Sequence, residues 1–309
     1  MEKKEIRVFS PGSIGNVGCG FDVFGLAIAA VGDTVTVARN NSGALRILAL
    51  DGDDSLPLDP AKNIVTVGVK AMLSALQSPL GFDFRISKGV AAGSGMGSSG
   101  SSAVAGVFAV NELLGRPYTQ DELLPFAAIG EQRASVQLHY DNVAPSMLGG
   151  FTVVRSADPL EILQVAVPDN LYLALVKPGV VVNTGVAKKM LGESMPITRA
   201  VAQFGNIAGL VVGLQQQDIG LIGRSVEDFL ATPVRLQLIP KFNEARAAAL
   251  AAGAAGFNIS GSGPALFAVC AGEGTARKVL AAWRKVYQDD GNASFYLTRP
   301  DTEGVRVVA

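Results

Sequence analysis

A chain of 309 residues with 49% hydrophobic side chains suits two domains of ordinary size, or one large one, with ample material for cores. Its 26 basic and 27 acidic residues leave a formal net charge of −1, which removes the electrostatic case for DNA, RNA or anionic lipid as partner. The mean hydropathy of +0.33 comes from alanine and glycine, and no uninterrupted apolar run approaches the ~18–20 residues of a membrane span. Two cysteines, Cys19 and Cys270, and the lack of a secretory leader lead to the expectation of a cytoplasmic protein with no membrane partner.

In chain order the pattern predicts a strand over 6–9, a Gly-rich loop over 10–20, then strands near 23–30, 33–38 and 44–50. A helix from Asn63 to about Gln77 follows from the recurrence of Val65, Val69, Met72 and Leu76. A strand over 82–87 leads into a second glycine loop and a helix from Ser98 to Leu114, ended by Gly115 and Pro117. Thr119 with Glu122 forms a capping box that opens a helix to about Gly130. Strand 151–155 precedes Ser156-Ala157-Asp158-Pro159, the best candidate boundary between an N-terminal domain, 1–155, and a C-terminal domain, 156–309. Beyond it come strands 160–167 and 171–176, helices near 184–191 and 198–215, and an Ala-rich helix near 241–252. Strands 256–259 and 265–270, a helix over 275–288 and a last strand over 293–298 close the chain. The expected class is α+β: a mixed-sheet first half carrying the glycine loop, then helices on an antiparallel sheet.

The most informative stretch is Ala91-Ala92-Gly93-Ser94-Gly95-Met96-Gly97-Ser98-Ser99. Three glycines followed by two hydroxyls at a helix start expose backbone N–H groups at the positive end of the helix dipole, which favours phosphate. The loop is not a Walker A motif, because no lysine lies between Lys88 and the helix. Gly95-Met96-Gly97-Ser98-Ser99-Gly100 matches a dinucleotide fingerprint only in its glycines, without the surrounding strand and helix alternation. Two further loops resemble it in composition, Ser10 to Asp22 and Phe257 to Pro264. Either alone reads as a turn; three small, polar loops beside strands read as one site. Glu131 is either a solvated carboxylate or, if it faces the glycine loop, the obvious Mg²⁺ ligand. His139, the only histidine, is either packed or functional, and Asp141-Asn142 before Pro145 can simply start a turn.

The three loops, in this order, resemble the signature motifs of the galactokinase, homoserine kinase, mevalonate kinase and phosphomevalonate kinase superfamily. Ser10 to Leu26, His139-x-Asp141-Asn142-Val143-Ala144-Pro145 with Gly149-Gly150-Phe151, and Pro233-Val234-Arg235 with Ile239-Pro240 are similar to its homoserine kinase branch. The resemblance covers essentially the whole chain. It implies a two-domain small-molecule kinase that takes ATP, Mg²⁺ and L-homoserine, and a homodimer. Residue by residue it implies that Ala91 to Ser99 bind the nucleotide, Gly93 to Ser99 wrapping the triphosphate, with Ser99, or next Ser98, and Glu131 holding Mg²⁺. Asn63 falls in the stretch used against adenine. Asn16 and Asp22 match residues for the homoserine ammonium, and Arg235 one for its carboxylate. His139, Asn142, Thr184 and Lys188 line the acceptor side, and Gly261 lies in the loop that closes the site.

The chemistry agrees with these roles. A zwitterion with a primary hydroxyl needs an anion and a cation in its site, and Asp22 with Arg235 supplies both. Phosphoryl transfer through a loose transition state needs alignment and charge neutralisation more than a strong base, so an orienting amide at Asn142 suffices for direct attack on the γ-phosphate. The chain departs from the branch at Ala91 and Met96, where proline and leucine are usual, and at Lys188, where arginine is usual. Lysine keeps the charge and loses the bidentate fork, so substrate choice turns on that position. The competing readings are a kinase of the same fold for another small alcohol, and a non-catalytic sensor that has no need of Ser99 and Glu131.

Overall fold

A computed structural model describes residues 4–53, 56–132, 139–192 and 194–309. The first half is built around two long strands, β1 (Glu5–Gly15) and β2 (Phe24–Asn40), paired antiparallel along their length. Ile6 and Val8 are buried while Glu5 and Arg7 are exposed, the period-two pattern of a half-covered strand. β3 (Leu45–Asp51) pairs parallel with β4 (Gly81–Ser87), which itself lies antiparallel to β2, so this sheet is mixed. Three helices cover it: α1 (Ile64–Ala75), α2 (Ser98–Leu113) and α3 (Gln120–Gln132). α2 is the central one. Its Ala, Gly, Ser and Val side chains are buried almost all round, so α1, α3 and the sheet approach it closely.

The predicted glycine loop at 10–20 is therefore strand as far as Gly15. The register shift between Pro11 and Gly12 absorbs the proline and lets the ladder resume, and the true loop begins at Asn16. The separate strands expected at 23–30 and 33–38 are likewise one element, β2. After α3 come a short helix, α4 (Val143–Leu148), and the hairpin β5 (Phe151–Ala157) with β6 (Leu160–Val165), paired to β2. The boundary expected at 155/156 falls inside β5, and the passage to the second sheet follows β6. The last strand also returns to the first sheet.

The second sheet runs β10-β7-β9-β8, all antiparallel, from β7 (Leu171–Lys177), β8 (Gly256–Ile259), β9 (Leu266–Ala271) and β10 (Ser294–Thr298). Both of its faces are covered. Leu171, Leu173 and Leu175 point to one core with α6 (Ile197–Gln216) and α7 (Ile219–Ser225), while Ala174 and Val176 point to another with α9 (Phe242–Ala251) and α10 (Glu273–Val286). The first of these cores also takes in Ile14, Phe24, Leu26 and Phe151, so the two sheets share it. α5 (Thr184–Lys189) and α8 (Thr232–Arg235) sit on the connections, and β11 (Arg306–Val308) closes on β1. α4, α7, α8 and β11 were absent from the sequence reading, being too short to show a period. α6 is long and apolar enough to cross a membrane by length and composition alone, but Arg199, Gln203 and Asn206 interrupt its apolar run and it packs Leu210 and Leu214 into the shared core.

Trp283 is the anchor of the outer core, fully buried, donating from Nε1 to the Ala245 carbonyl at 2.8 Å and lying edge-on to Phe257 at 6.1 Å. Trp283→Ala should lower stability by roughly 3–5 kcal/mol, read as a drop in Tm on thermal unfolding, without changing ligand affinity in the distant cleft.

Candidate active site

A cleft of about 400 Å³ opens at the N-terminus of α2. The helix begins at Gly97, which has φ 68° and makes no side-chain cap, so the N–H groups of the first turn face the cleft without a serine or aspartate oxygen on them. A Cβ at Gly97 would lie 2.0 Å from Ser13 Oγ, and one at Gly95 2.8 Å from the Ser260 and Gly263 carbonyl oxygens. The loop is thus pressed against neighbours that only glycine admits. Those neighbours also hold it: Ser13 N donates to the Met96 carbonyl at 3.0 Å, Ser260 Oγ to the Gly95 carbonyl at 2.6 Å, and Ala265 N to the Ser94 carbonyl at 3.1 Å. The third glycine loop is a brace for the second.

The two ends of the loop are joined by a buried ion pair that the sequence reading did not single out. Asp33, on β2, accepts from the N–H groups of Gly89 and Val90 at 3.0 and 3.1 Å, and from Ser102 Oγ at 2.6 Å. Lys88 Nζ contacts the same carboxylate and donates to the Ser98 carbonyl at 3.1 Å and to Ser102 Oγ at 2.7 Å. The strand that enters the loop and the helix that leaves it are therefore fastened to one carboxylate. Both side chains are almost wholly buried, so the pair is held with its polar atoms satisfied.

Glu131, in the last turn of α3, faces the start of α2. Its Oε1 accepts from Ser99 Oγ at 2.9 Å, and its Oε2 is buried with no hydrogen-bond partner among the described residues. Burial, reinforced by the like charge of Asp141, pushes this carboxyl up to about 7, against the hydrogen bond from Ser99. An orphaned carboxylate oxygen beside a serine hydroxyl at a phosphate-type loop fits a hard divalent cation, which takes oxygen ligands. These two residues are the pair expected to hold Mg²⁺.

The opposite wall carries charges of both signs. Asn16 and Asp22, both at positive φ (65° and 55°), form a tight loop in which Asp22 N donates to Asn16 Oδ1 at 3.0 Å. His139 Nδ1 lies 3.3 Å from Asp22 Oδ1, and its Nε2 lies 3.3 Å from Lys188 Nζ. The bond to Asp22 raises the imidazole above its ordinary value, against burial. Arg235, 4% exposed, rests over the Phe21 ring at 5.4 Å and donates to the Gly261 carbonyl at 3.2 Å. Burial pulls this guanidinium down, with Asp22 opposing the shift. The Gly261 carbonyl accepts from Asn16 Nδ2 as well, at 3.1 Å, so one oxygen sits between the acidic and the basic side of the wall. Asn142 accepts from Ser13 Oγ at 2.9 Å and lines the cleft between this wall and the glycine loop.

Most of the candidate residues thus meet in one cavity, but not all. Ala91 does not line it. Met96 is 1% exposed and turned into the core shared by the two sheets, so only its backbone belongs to the loop. Ser98 lines the cavity, yet its hydroxyl is bound to the Val90 carbonyl at 2.7 Å, which favours Ser99 as the metal-facing serine. Asn63 is the cap of α1, its Oδ1 accepting from Val65 N at 3.0 Å and its Nδ2 donating to the Pro57 carbonyl at 2.8 Å. It shares that end of the cleft with Pro57, Ile64, Val65 and Ile86. Thr184 opens α5, and its side chain lies outside the described residues. Asp141, read from sequence as a turn residue, is buried in the cavity, and burial with the nearby charge of Asp22 pushes it up to about 6.

Comparison with known proteins agrees with this fold. Residues 63–150 match the GHMP kinases N terminal domain, and residues 210–289 match the GHMP kinases C terminal model. A homoserine kinase of Chloroherpeton thalassium is 40% identical, covering 99% of this chain and 100% of its own length. One from Pyrococcus abyssi is 38% identical over 95% of this chain and 96% of the relative. The crystal structure of a homoserine kinase from Cytophaga hutchinsonii superposes with a TM-score of 0.96 at 41% identity, covering 100% of this chain and 98% of that one. Mevalonate kinase of L. major, solved with R-mevalonate, shares the fold at TM-score 0.73 and 15% identity, covering 97% and 99%.

The Lys88 and Asp33 pair behind the glycine loop gives a direct test of how the loop is held. Lys88→Met leaves the Asp33 carboxylate buried and unpaired, so unfolding in urea should show a loss of about 3–5 kcal/mol; the double variant with Asp33→Asn should recover part of it.

Proposed function

This chain belongs to the GHMP kinase family, and on that premise we propose that it transfers the γ-phosphoryl group of ATP to the hydroxyl of L-homoserine, giving ADP and O-phospho-L-homoserine for threonine synthesis. The observation that carries the reading is the opposed wall of the cleft: Asp22 with Asn16 for an ammonium, Arg235 with Lys188 for a carboxylate, facing the uncapped start of α2. A mevalonate or a sugar has no ammonium for Asp22 to bind.

In this reading the N–H groups of Gly93, Gly95 and Gly97 to Ser99 receive the phosphates, those of Ser94 and Met96 being taken by the Ala91 carbonyl and Ser94 Oγ, with the helix dipole adding to the field at their negative charge. Asn63, Pro57, Ile64 and Val65 form the end of the cleft that suits a flat, mostly apolar base. Ser99 Oγ and Glu131 hold Mg²⁺, which when bound neutralises phosphate charge. Asp22 and Asn16 take the ammonium, Arg235 and Lys188 the carboxylate, and His139 bridges Asp22 to Lys188 so that both keep their orientation. Thr184 and the Gly261 turn complete the acceptor side. Asn142, fixed by Ser13, orients the hydroxyl. The hydroxyl oxygen attacks the γ-phosphorus, the bond to the β-bridging oxygen breaks, ADP leaves, and the hydroxyl proton passes to the transferred phosphoryl group. Alignment carries most of the rate, as expected for a loose transition state. The same reading includes a cytosolic homodimer. The apolar face of α6 bearing Ile197, Val201 and Phe204, each more than 60% exposed, supports the dimer, and sedimentation at micromolar concentration tests it.

A coupled ADP-release assay with L-homoserine, mevalonate and galactose is the direct test. Turnover is expected with homoserine alone, and Asp22→Ala and Arg235→Ala should each raise its KM by about 10–100-fold, the loss of one charge-assisted contact. Turnover on another alcohol with none on homoserine overturns the substrate assignment. Asn142→Ala should lower kcat by about 10²-fold with little change in KM for ATP.

The metal assignment predicts a pH effect with a definite sign. Glu131 keeps its proton up to about 7, and a divalent ion must displace it. The Mg²⁺ concentration for half-maximal rate should therefore rise about tenfold per unit as pH falls below that value, and be flat above it. Glu131→Gln should abolish this dependence together with most of the activity.

A further inference from the structure

Gln203 lies on α6, outside the cleft, 4% exposed, and makes three hydrogen bonds that link the two sides of the acceptor wall. Its Nε2 donates to the Cys19 carbonyl at 2.6 Å and to Asp228 Oδ1 at 2.8 Å; its Oε1 accepts from Phe229 N at 2.8 Å. Cys19 belongs to the loop that carries Asn16 and Asp22. Asp228 caps the segment that carries Arg235, accepting from Leu230 N at 3.0 Å, Ala231 N at 2.9 Å and Thr232 N at 2.6 Å. One amide thus joins the ammonium side of the site to the carboxylate side.

Inside the cleft the two segments meet where the Arg235 guanidinium rests over the Phe21 ring, a contact without the directionality of a hydrogen bond. They touch where a Cβ on Gly18 would lie 1.9 Å from the Val226 carbonyl, a contact that sets how near they come and not how they are registered. The Gly261 carbonyl accepts from both Asn16 and Arg235 inside the cleft, a second link that runs through the turn 260–263. Gln203 supplies the outer link. Only an amide fits: two donors meet two acceptors, and the carbonyl meets a backbone N–H, so every polar atom of the buried side chain is used. Glutamate would turn a donor into an acceptor facing the Asp228 carboxylate, and methionine would keep the volume and lose all three bonds.

We infer that Gln203 is a positioning residue that fixes the distance between the ammonium anchor and the carboxylate anchor, and so sets specificity for an α-amino acid over alcohols bearing one charge alone. The inference rests on the substrate reading above. A ligand that uses both anchors gains only if their separation matches its own; a ligand that uses one anchor is indifferent to it. The effect should therefore appear in the KM of the zwitterion and not in that of ATP, whose loop is braced from β1, β2 and the turn 260–263.

The test is steady-state kinetics of the full chain and its Gln203→Met variant with L-homoserine, with 4-hydroxybutanoate, which lacks the ammonium, and with 3-aminopropan-1-ol, which lacks the carboxylate. The variant should raise the homoserine KM about tenfold while the KM for ATP and the kcat at saturation stay within about twofold. Its preference for homoserine over either analogue should shrink by the same factor. A homoserine KM within twofold of the parent, in an experiment where Arg235→Ala raises it, overturns the spacing role and leaves the substrate assignment standing. A parent enzyme with no turnover on homoserine overturns the assignment itself, and the inference with it. Equal rises in the KM of homoserine and ATP, with a lowered Tm, assign Gln203 to general stability and overturn its specific role. Should the Met variant fail to fold, Asp228→Asn, which keeps an acceptor for part of the network, carries the test, with a smaller rise in homoserine KM expected and an unchanged one overturning the role.

Discussion

The structure turns on a helix that starts without a cap. A helix's first N–H groups are often satisfied by a serine, threonine, asparagine or aspartate side chain, worth about 1 kcal/mol. α2 begins at Gly97 and forgoes that. The omission is tolerable because α2 is otherwise buried almost all round, between α1, α3 and the first sheet, so packing and not capping holds it. It is useful because the free donors and the dipole are then available to a phosphate chain. Much of the surrounding architecture follows from keeping this one end bare and still in place. Ser13 and Ser260 hold the loop carbonyls, and Asp33 ties its entry to its exit.

A second constraint is electrostatic. Glu131 and Asp141 are buried in the cleft, and Asp22 on the opposite wall adds its negative charge to that of Asp141. Raised carboxyl values, about 7 for Glu131 and about 6 for Asp141, are the sign of negative charge crowded into a poor solvent. Such a cluster costs the empty protein stability as pH rises from the ordinary carboxylate range to about 6 for Asp141 and about 7 for Glu131, where the folded state holds protons that the unfolded chain has released, and the loss is complete above those values. On the proposed reading a divalent ion and an ammonium group would relieve the same repulsion. A site of this kind is unfavourable by itself and would be favourable with such ligands, and binding energy gained from that relief would be available for alignment. Arg235 and Lys188 bring the balancing charge to the wall that carries Asp22, so the wall as a whole is polarised along the direction in which a zwitterion would lie.

What could be read from the sequence, and what could not, divides by range. The capping box at Thr119 and Glu122 is a contact three residues long, and it forms as expected, with Thr119 N 2.8 Å from Glu122 Oε2. The α1 stripe of Val65, Val69 and Met72 is likewise local, and it is buried. Fold class and the convergence of most candidate residues followed from motifs whose chemistry is carried by a few adjacent positions. Pro11-Gly12 misled because a bulge and a turn use the same residues, and only the partner strand distinguishes them. Met96 misled because a loop position says nothing of which way a side chain points; the shared core took it. Lys88, Asp33, Gln203 and Asp228 were invisible for a stronger reason. Each acts through a partner between 25 and 184 residues away, and no spacing in one sequence records such a pairing.

The shared core between the sheets decides how the cleft can vary among relatives. Ile14, Phe24 and Phe151 from the first sheet pack with Leu173, Leu175 and Phe267 from the second and with Leu210 and Leu214 of α6. A close-packed contact of this kind resists gradual deformation, so the two sheets have one preferred relation. Change of substrate at constant fold must then come from side chains on the wall and from the polar links behind it, not from a wider or narrower jaw. The glycine loop and its braces belong to the scaffold. The segment from Gln203 to Arg235 belongs to the wall, and α6 is the element that reaches from the core to both of its halves.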